Sequence, residues 1–208
     1  MTGSSGMSGL ENLDPGLFAY FPDFLSGSEA DDLLARLWRE LEWSRREITL
    51  FGRRVTQPRL VAWYGDPDAV YSYSGLTLEP LPWHPLLRHL KDRIERFSGG
   101  RFNAVLANAY RDGRDSMGWH SDDEKELGCQ PLIASISLGA PRRFLLRPKR
   151  RGAIPPGPSV GLTLEHGSLL QMRGESQQHF QHALPRTQRK TGLRINLTYR
   201  QVFAQDPD

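Results

Sequence analysis

Two histidines and an aspartate carry the residue types that a metal ion needs. His120-Ser121-Asp122 sets an imidazole and a carboxylate two residues apart, and His182 follows in Gln181-His182-Ala183-Leu184-Pro185. In extended backbone, positions i and i+2 point the same way, so one strand end can offer both groups to one ion. Two imidazoles plus one carboxylate are the donor set of non-haem Fe(II) oxygenases, which keeps three coordination positions open for other ligands. Zinc accepts the same residue types, but a structural zinc site closes its fourth position with protein, and no fourth donor is evident. His179 is the nearest rival to His182, while His84, His89 and His166 read as surface or satisfied core histidines. The single cysteine, Cys129, excludes both a thiolate-rich metal site and an intramolecular disulfide. It fits a reducing compartment: the cytoplasm, or the nucleus in a eukaryote.

The second chemical feature is the alternating run Arg194-Ile195-Asn196-Leu197-Thr198-Tyr199-Arg200. Period two places Ile195, Leu197 and Tyr199 on one face, which reads as core, and Arg194, Asn196, Thr198 and Arg200 on the other. If that polar face lies inside the protein, its arginines need anionic partners. Guanidinium forks bind carboxylates bidentately, so two arginines on one strand face suit a small dicarboxylate. The alternative is an exposed polar face. Asn108 and Tyr110 form another i, i+2 pair able to add hydrogen bonds to the same ligand.

The elements that must position these residues follow from pattern. Residues 18–24 form an aromatic opening segment. Ser26 and Glu29 have the spacing of a capping box, and Leu33, Leu34, Leu37 and Leu41 recur at helical intervals behind it. A second helix is expected from Pro85, with Leu86, Leu87, Leu90, Ile94 and Phe97 on one face, ending at Gly99-Gly100. Residues 50–80 read as turn-rich. From Phe102 onward the chain reads as short strands near 103–110, 132–138, 143–147, 160–164, 168–172 and 194–202, which argues for a sandwich, barrel or jelly roll. The helices, confined to the N-terminal half, are expected on the outer face of one sheet.

The 208 residues suffice for one domain, expected over 17–208 behind a flexible Gly/Ser-rich leader at 1–16. A hydrophobic share of 38% and a charged share of 25% describe a soluble globular chain without a membrane span. Net charge is +3, but residues 141–200 hold twelve Lys and Arg against Glu165 and Glu175. That asymmetry suits a polyanionic partner, and it suits a merely solvated surface equally.

Asn108-Ala109-Tyr110, His120-Ser121-Asp122-Asp123-Glu124, His182-Ala183-Leu184-Pro185 and Arg194-x-Asn196-x-Thr198-x-Arg200, in this order, resemble the AlkB family of Fe(II)/2-oxoglutarate-dependent dioxygenases. Ile133-Ala134-Ser135-Ile136-Ser137-Leu138-Gly139 and Glu165-His166-Gly167-Ser168-Leu169-Leu170 are similar to that family as well. The resemblance spans roughly residues 45–203 and leans toward the homologues that repair alkylated DNA.

It implies a mainly β fold with flanking α: a double-stranded β-helix (jelly roll) over 103–203, N-terminal helices on one sheet and a nucleotide-recognition lid at 50–80. His120, Asp122 and His182 would bind Fe(II), with O2 as the oxidant. Arg194 and Arg200 would hold 2-oxoglutarate at its two carboxylates, assisted by Asn108, Tyr110 and Asn196. The implied activity is oxidative demethylation of 1-methyladenine and 3-methylcytosine in DNA by a monomer, releasing succinate, CO2 and formaldehyde. A base inside a duplex must be flipped out to be reached. Tyr71 and Tyr73 would cover it, with Glu124 on its exocyclic amino group. Phe51 would fill the gap left in the stack, and Arg59 would touch phosphate or base nearby. Lys149, Arg150 and Arg151, with the turn at residues 186–190, would follow phosphates. The alternatives are a dioxygenase acting on RNA or another substrate, and a non-catalytic nucleic-acid-binding module.

Overall fold

The computed structural model describes residues 14–50, 53–73, 76–150 and 157–203, with backbone alone for 48–50, 53–55, 71–73 and 76–78. Its strands are β1 (Phe18–Phe21), β2 (Glu47–Leu50), β3 (Arg53–Thr56), β4 (Leu60–Gly65), β5 (Tyr71–Tyr73), β6 (Leu76–Leu78) and β7 (Ala104–Tyr110). They continue as β8 (Met117–His120), β9 (Ile133–Gly139), β10 (Arg142–Pro148), β11 (Val160–Leu164), β12 (Ser168–Met172), β13 (Phe180–Leu184) and β14 (Arg194–Arg200). Helices α1 (Gly27–Glu40) and α2 (Pro85–Ser98) precede β7, and the four-residue turn α3 (Ser176–His179) leads into β13. The strands build a six-stranded sheet, β1-β12-β9-β14-β7-β4, and a four-stranded sheet, β11-β10-β13-β8, with antiparallel neighbours throughout. This is the expected jelly roll. Two hairpins, β2–β3 and β5–β6, stand apart from both sheets. No helix among the described residues is long and apolar enough to cross a membrane.

Both main helices begin and end where their local chemistry dictates. Ser26 Oγ accepts the Glu29 backbone N–H at 3.3 Å, capping α1. His84 Nδ1 accepts the Leu86 N–H at 3.3 Å ahead of Pro85, and α2 stops at Gly99 with φ +72°. Leu33 and Leu37 of α1 and Leu87, Leu90 and Ile94 of α2 pack on the outer face of the larger sheet, against Ile195, Leu197, Tyr199, Ile136 and Leu138. Each fully buried leucine there contributes roughly 2 kcal/mol. Phe97 departs from the expected face: it is 49% exposed and packs edge-on against Phe21 and Phe24.

The inner face of the larger sheet differs from the outer one. β14 lies between β7 and β9, its Asn196 opposite Asn108 and Ser137, and all seven of its residues are buried. The alternation therefore sends three apolar side chains under the helices and four polar ones into the space between the sheets. Phe18, Phe144, Leu146, Leu162, Leu164, Leu170 and Met172 fill one part of that space with apolar packing. The rest is a polar cavity.

Several strands depart from the sequence reading, among them β8 and β13, which carry the two histidines. Residues 18–21 are not only an aromatic opening segment, because they pair with β12 as an edge strand. The span taken as turn-rich contains β4, which pairs with β7 from Leu60 to Gly65. Val61, Ala62, Trp63 and Tyr64 are all buried, so the strand shows no alternation to betray it.

Candidate metal centre

His120 is the last residue of β8, and His182 faces it directly across the ladder on β13. Their ring centroids lie 4.1 Å apart. Asp122 follows two residues later and is buried. One donor atom from each of the three lies within 4.8 Å of the others, and no fourth His, Cys, Asp or Glu joins the group among the described residues. His179, the rival to His182, lies outside it and pairs with Glu175 at 3.0 Å.

Each donor is held from behind. His120 Nδ1 lies 2.9 Å from the Gly118 carbonyl. A carbonyl only accepts, so Nδ1 carries the proton and Nε2 is left for the site. His182 stacks on Phe144 with centroids 5.3 Å apart. The Asp122 backbone N–H donates to Gln177 Oε1 at 2.9 Å, and Ser121 Oγ donates to the Phe180 carbonyl at 2.9 Å. The Arg200 guanidinium donates through Nη2 to Asp122 Oδ1 at 2.9 Å. Asp122 Oδ2 is buried without a hydrogen-bond partner among the described residues, which suits an oxygen meant for a cation. A buried carboxylate oxygen kept unsatisfied, two neutral imidazoles and no closing fourth donor fit the open Fe(II) site.

Burial would raise the Asp122 carboxyl, but Arg200, His182 and His120 outweigh it and hold it at about 2. Burial, reinforced by His120, lowers His182 to about 3, and burial lowers His120 as well. All three are therefore in their ligating forms at neutral pH. In the metal-free protein the unfolded chain takes up the His182 proton near pH 6.5, whereas the folded chain resists it down to about 3. Stability is then full above about pH 6.5 and falls as pH drops through that window, with Asp122 adding a further loss between about 4 and 2. Thermal denaturation of metal-free protein at about pH 7.5 and about pH 5 should show the lower midpoint at pH 5, and replacing His182 by Phe should flatten the difference. Equal midpoints would mean that His182 is not held neutral.

The cavity runs from this triad along the polar face of β14, lined also by Met117, Leu184, Phe144 and Ser135. Arg200 stands at the metal end. Arg194, 1% exposed, stands at the other, donating from Nη2 to Ser137 Oγ at 2.9 Å with its Cζ 5.2 Å from the Tyr110 ring centroid. Burial lowers Arg194 to about 10, so it remains a cation at neutral pH. Its Nε is buried without a hydrogen-bond partner among the described residues. Asn196 donates to Ser135 Oγ at 2.7 Å and accepts from Thr198 at 3.1 Å, which fixes the cavity floor.

The remaining expected residues separate into groups. Asn108, Tyr110, Arg194, Asn196 and Arg200 all line the cavity. Arg59 is 4% exposed and donates from Nε to Asn108 Oδ1 at 2.7 Å, so it braces the cavity wall. Lys149 is ion-paired with Asp123 at 2.7 Å, and Arg150 is exposed. Glu124 lies two residues beyond Asp122, half-buried at the start of the turn Lys125–Leu127. Tyr71 and Tyr73 lie on β5, but their side chains, like Phe51 and Arg151, fall outside the described residues. Of the twelve basic residues counted toward a polyanion surface, Arg142, Arg194 and Arg200 are buried. Gln177, Ser137 and Met117 also support or line the site, and no local spacing in the sequence marks any of the three.

The family model of the 2OG-Fe(II) oxygenase superfamily matches residues 18–200. Human alkB homolog 3, named an alpha-ketoglutarate-dependent dioxygenase, is 43% identical over 188 residues, covering 88% of this chain and 65% of its own length. Human DNA oxidative demethylase ALKBH2 is 38% identical over 199 residues, covering 90% of this chain and 74% of its own length. The chain thus spans about 65% of the length of the alkB homolog 3 proteins it matches. The solved structure of OsALKBH1 has a TM-score of 0.63 at 21% identity, covering 91% of this chain and 99% of that one. A Burkholderia pseudomallei 2OG-Fe(II) family oxidoreductase has a TM-score of 0.61 at 15% identity, covering 95% and 91%, so both structures speak to the fold alone. With an open triad of the right donors and relatives of this identity over most of its length, the chain belongs to the AlkB family of the 2OG-Fe(II) oxygenase superfamily.

Proposed function

We propose that this protein is an oxidative demethylase of N-alkylated bases in DNA, with 1-methyladenine and 3-methylcytosine as substrates. The observation that carries the reading is the single cavity with the His120–Asp122–His182 triad and Arg200 at one end and Arg194 at the other. The ALKBH2 relatives, whose name states DNA oxidative demethylation, support the substrate class. Fe(II), with 2-oxoglutarate and O2, supplies the oxidising power for an N-methyl group.

The chain's own residues orient that chemistry and keep water from it. His120, Asp122 and His182 would hold the ion, and Arg200, which fixes the carboxylate of Asp122, would also meet the near carboxylate of 2-oxoglutarate. Arg194 and Tyr110 would take the far carboxylate of 2-oxoglutarate, and Met117 and Leu184 supply apolar wall for its methylenes. With these bound, the overall reaction would convert 2-oxoglutarate and O2 to succinate and CO2 and release the methyl group as formaldehyde, restoring the base. The flipped base is covered by Tyr71 and Tyr73, with Glu124 accepting from its exocyclic amino group. Phe51 occupies the vacated stack, and Arg150 and Arg151 meet phosphates; Lys149 does so only after releasing Asp123.

The test is incubation with Fe(II), 2-oxoglutarate and paired single- and double-stranded oligonucleotides carrying 1-methyladenine or 3-methylcytosine, with base mass as the readout. Loss of one methylene mass from the DNA is expected. Repair confined to matched RNA would transfer the reading to RNA, and no repair of any methylated base would remove it.

A further inference from the structure

Behind Tyr110, at the end of the cavity away from the triad, lies a second buried arginine that the binding of 2-oxoglutarate as described does not use. Arg142, at the start of β10, is 3% exposed. It shares the inward row of that strand with Phe144, the residue that stacks on His182. Its Nη1 donates to the Asp112 carbonyl at 3.0 Å, and its Nη2 donates to the carbonyls of Asp115 at 2.9 Å and Pro185 at 2.8 Å. The loop over residues 112–115 precedes the strand carrying His120, and Pro185 follows the strand carrying His182. Arg142 therefore ties together the approaches to both histidines. The Thr187 N–H donates to the Gly113 carbonyl at 2.9 Å beside it, and a Cβ at Gly113 would collide with the Thr187 carbonyl, so the two segments are in close contact.

Anchoring main-chain carbonyls does not require a charge, and burying one carries a cost. Arg142 makes no ion pair among the described residues. The nearby carboxylates are engaged elsewhere: Asp115 with Arg111 at 2.8 Å and Asp112 with Arg114 at 2.7 Å. Arg111 and Arg114 are thus matched by Asp115 and Asp112 toward the surface, which leaves the buried Arg142 and Arg194 without a carboxylate partner among the described residues. Arg142 and Arg194 share one aromatic ring, with Cζ atoms 5.9 Å and 5.2 Å from the Tyr110 centroid. The excess positive charge is internal and concentrated where the far carboxylate of a dicarboxylate would lie.

We propose that Arg142 is a specificity-determining positioning residue, whose charge, acting through Tyr110 and beside Arg194, makes the cavity select a 2-oxo acid with a second carboxylate. The proposal rests on 2-oxoglutarate occupying this cavity. Arg142 touches neither the metal ligands nor the cosubstrate.

The test is calorimetric titration of Mn(II)-loaded protein with 2-oxoglutarate and with 2-oxopentanoate, which replaces the far carboxylate by a methyl group. In Arg142→Gln, 2-oxoglutarate should bind about tenfold more weakly, while 2-oxopentanoate and Mn(II) stay within about twofold of wild type. Arg142→Lys, which keeps the charge, should recover most of the loss. Equal weakening of both acids, no weakening of either, or a lysine variant as poor as the glutamine one would overturn the proposal. Should Arg142→Gln not fold, Arg142→Met provides the neutral variant and Arg142→Lys the charged one, with the ratio of the two affinities deciding. Failure of wild-type protein to bind 2-oxoglutarate would instead overturn the cosubstrate reading itself, and the proposal with it.

Discussion

Replacing His182 by alanine is expected to weaken Mn(II) or Fe(II) binding at least about 100-fold and to reduce 2-oxoglutarate turnover to background. His182 faces His120 across the β8–β13 ladder, and removing it leaves one imidazole and one carboxylate, too few to hold a cation that also keeps positions open. The informative control is three residues away. His179 already pairs with Glu175 and lies outside the triad, so its alanine variant should keep wild-type metal affinity and turnover. Metal titration followed by succinate release compares the two. Equal losses, or a loss only in the His179 variant, would move the ligand assignment.

The second large effect concerns stability. Arg200 and Asp122 form an ion pair with side chains 5% and 4% exposed. Breaking a buried pair from one side leaves the other charge uncompensated, which costs about 3 kcal/mol or more. Arg200→Met should therefore lower the melting temperature of the metal-free protein by roughly 10 °C. Removing the stranded charge with Asp122→Asn in the same chain should restore part of that loss, because the two residues act as one unit. A single Arg200→Met variant melting within about 2 °C of wild type would show that the pair carries little of the stability.

The parts of this molecule legible in the sequence were those written locally. Ser26 with Glu29, Pro85 and Gly99 marked helix ends because capping depends on residues within one turn. β14 was readable because one of its faces is core and the other is not, so alternation survives in the sequence. β4 was not, since Val61 through Tyr64 are buried on both sides and the period disappears. The supporting contacts were also hidden. Gln177 reaches the Asp122 N–H across 55 residues of sequence, and Arg59 reaches Asn108 across 49. Which partner each finds depends on sheet register, which no local spacing encodes. The same blindness made Arg142 look like one more surface cation in a basic segment, when the fold turns it inward beside Tyr110.

In the proposed reaction one cavity couples cosubstrate oxidation to removal of a methyl group from DNA. The most direct measurement is the stoichiometry of succinate and formaldehyde released from an oligonucleotide carrying 3-methylcytosine under Fe(II) and O2. Equimolar products, both abolished by Asp122→Ala, are the predicted result. Succinate without formaldehyde at any ratio of DNA to enzyme, or formaldehyde release that survives loss of Asp122, would contradict it.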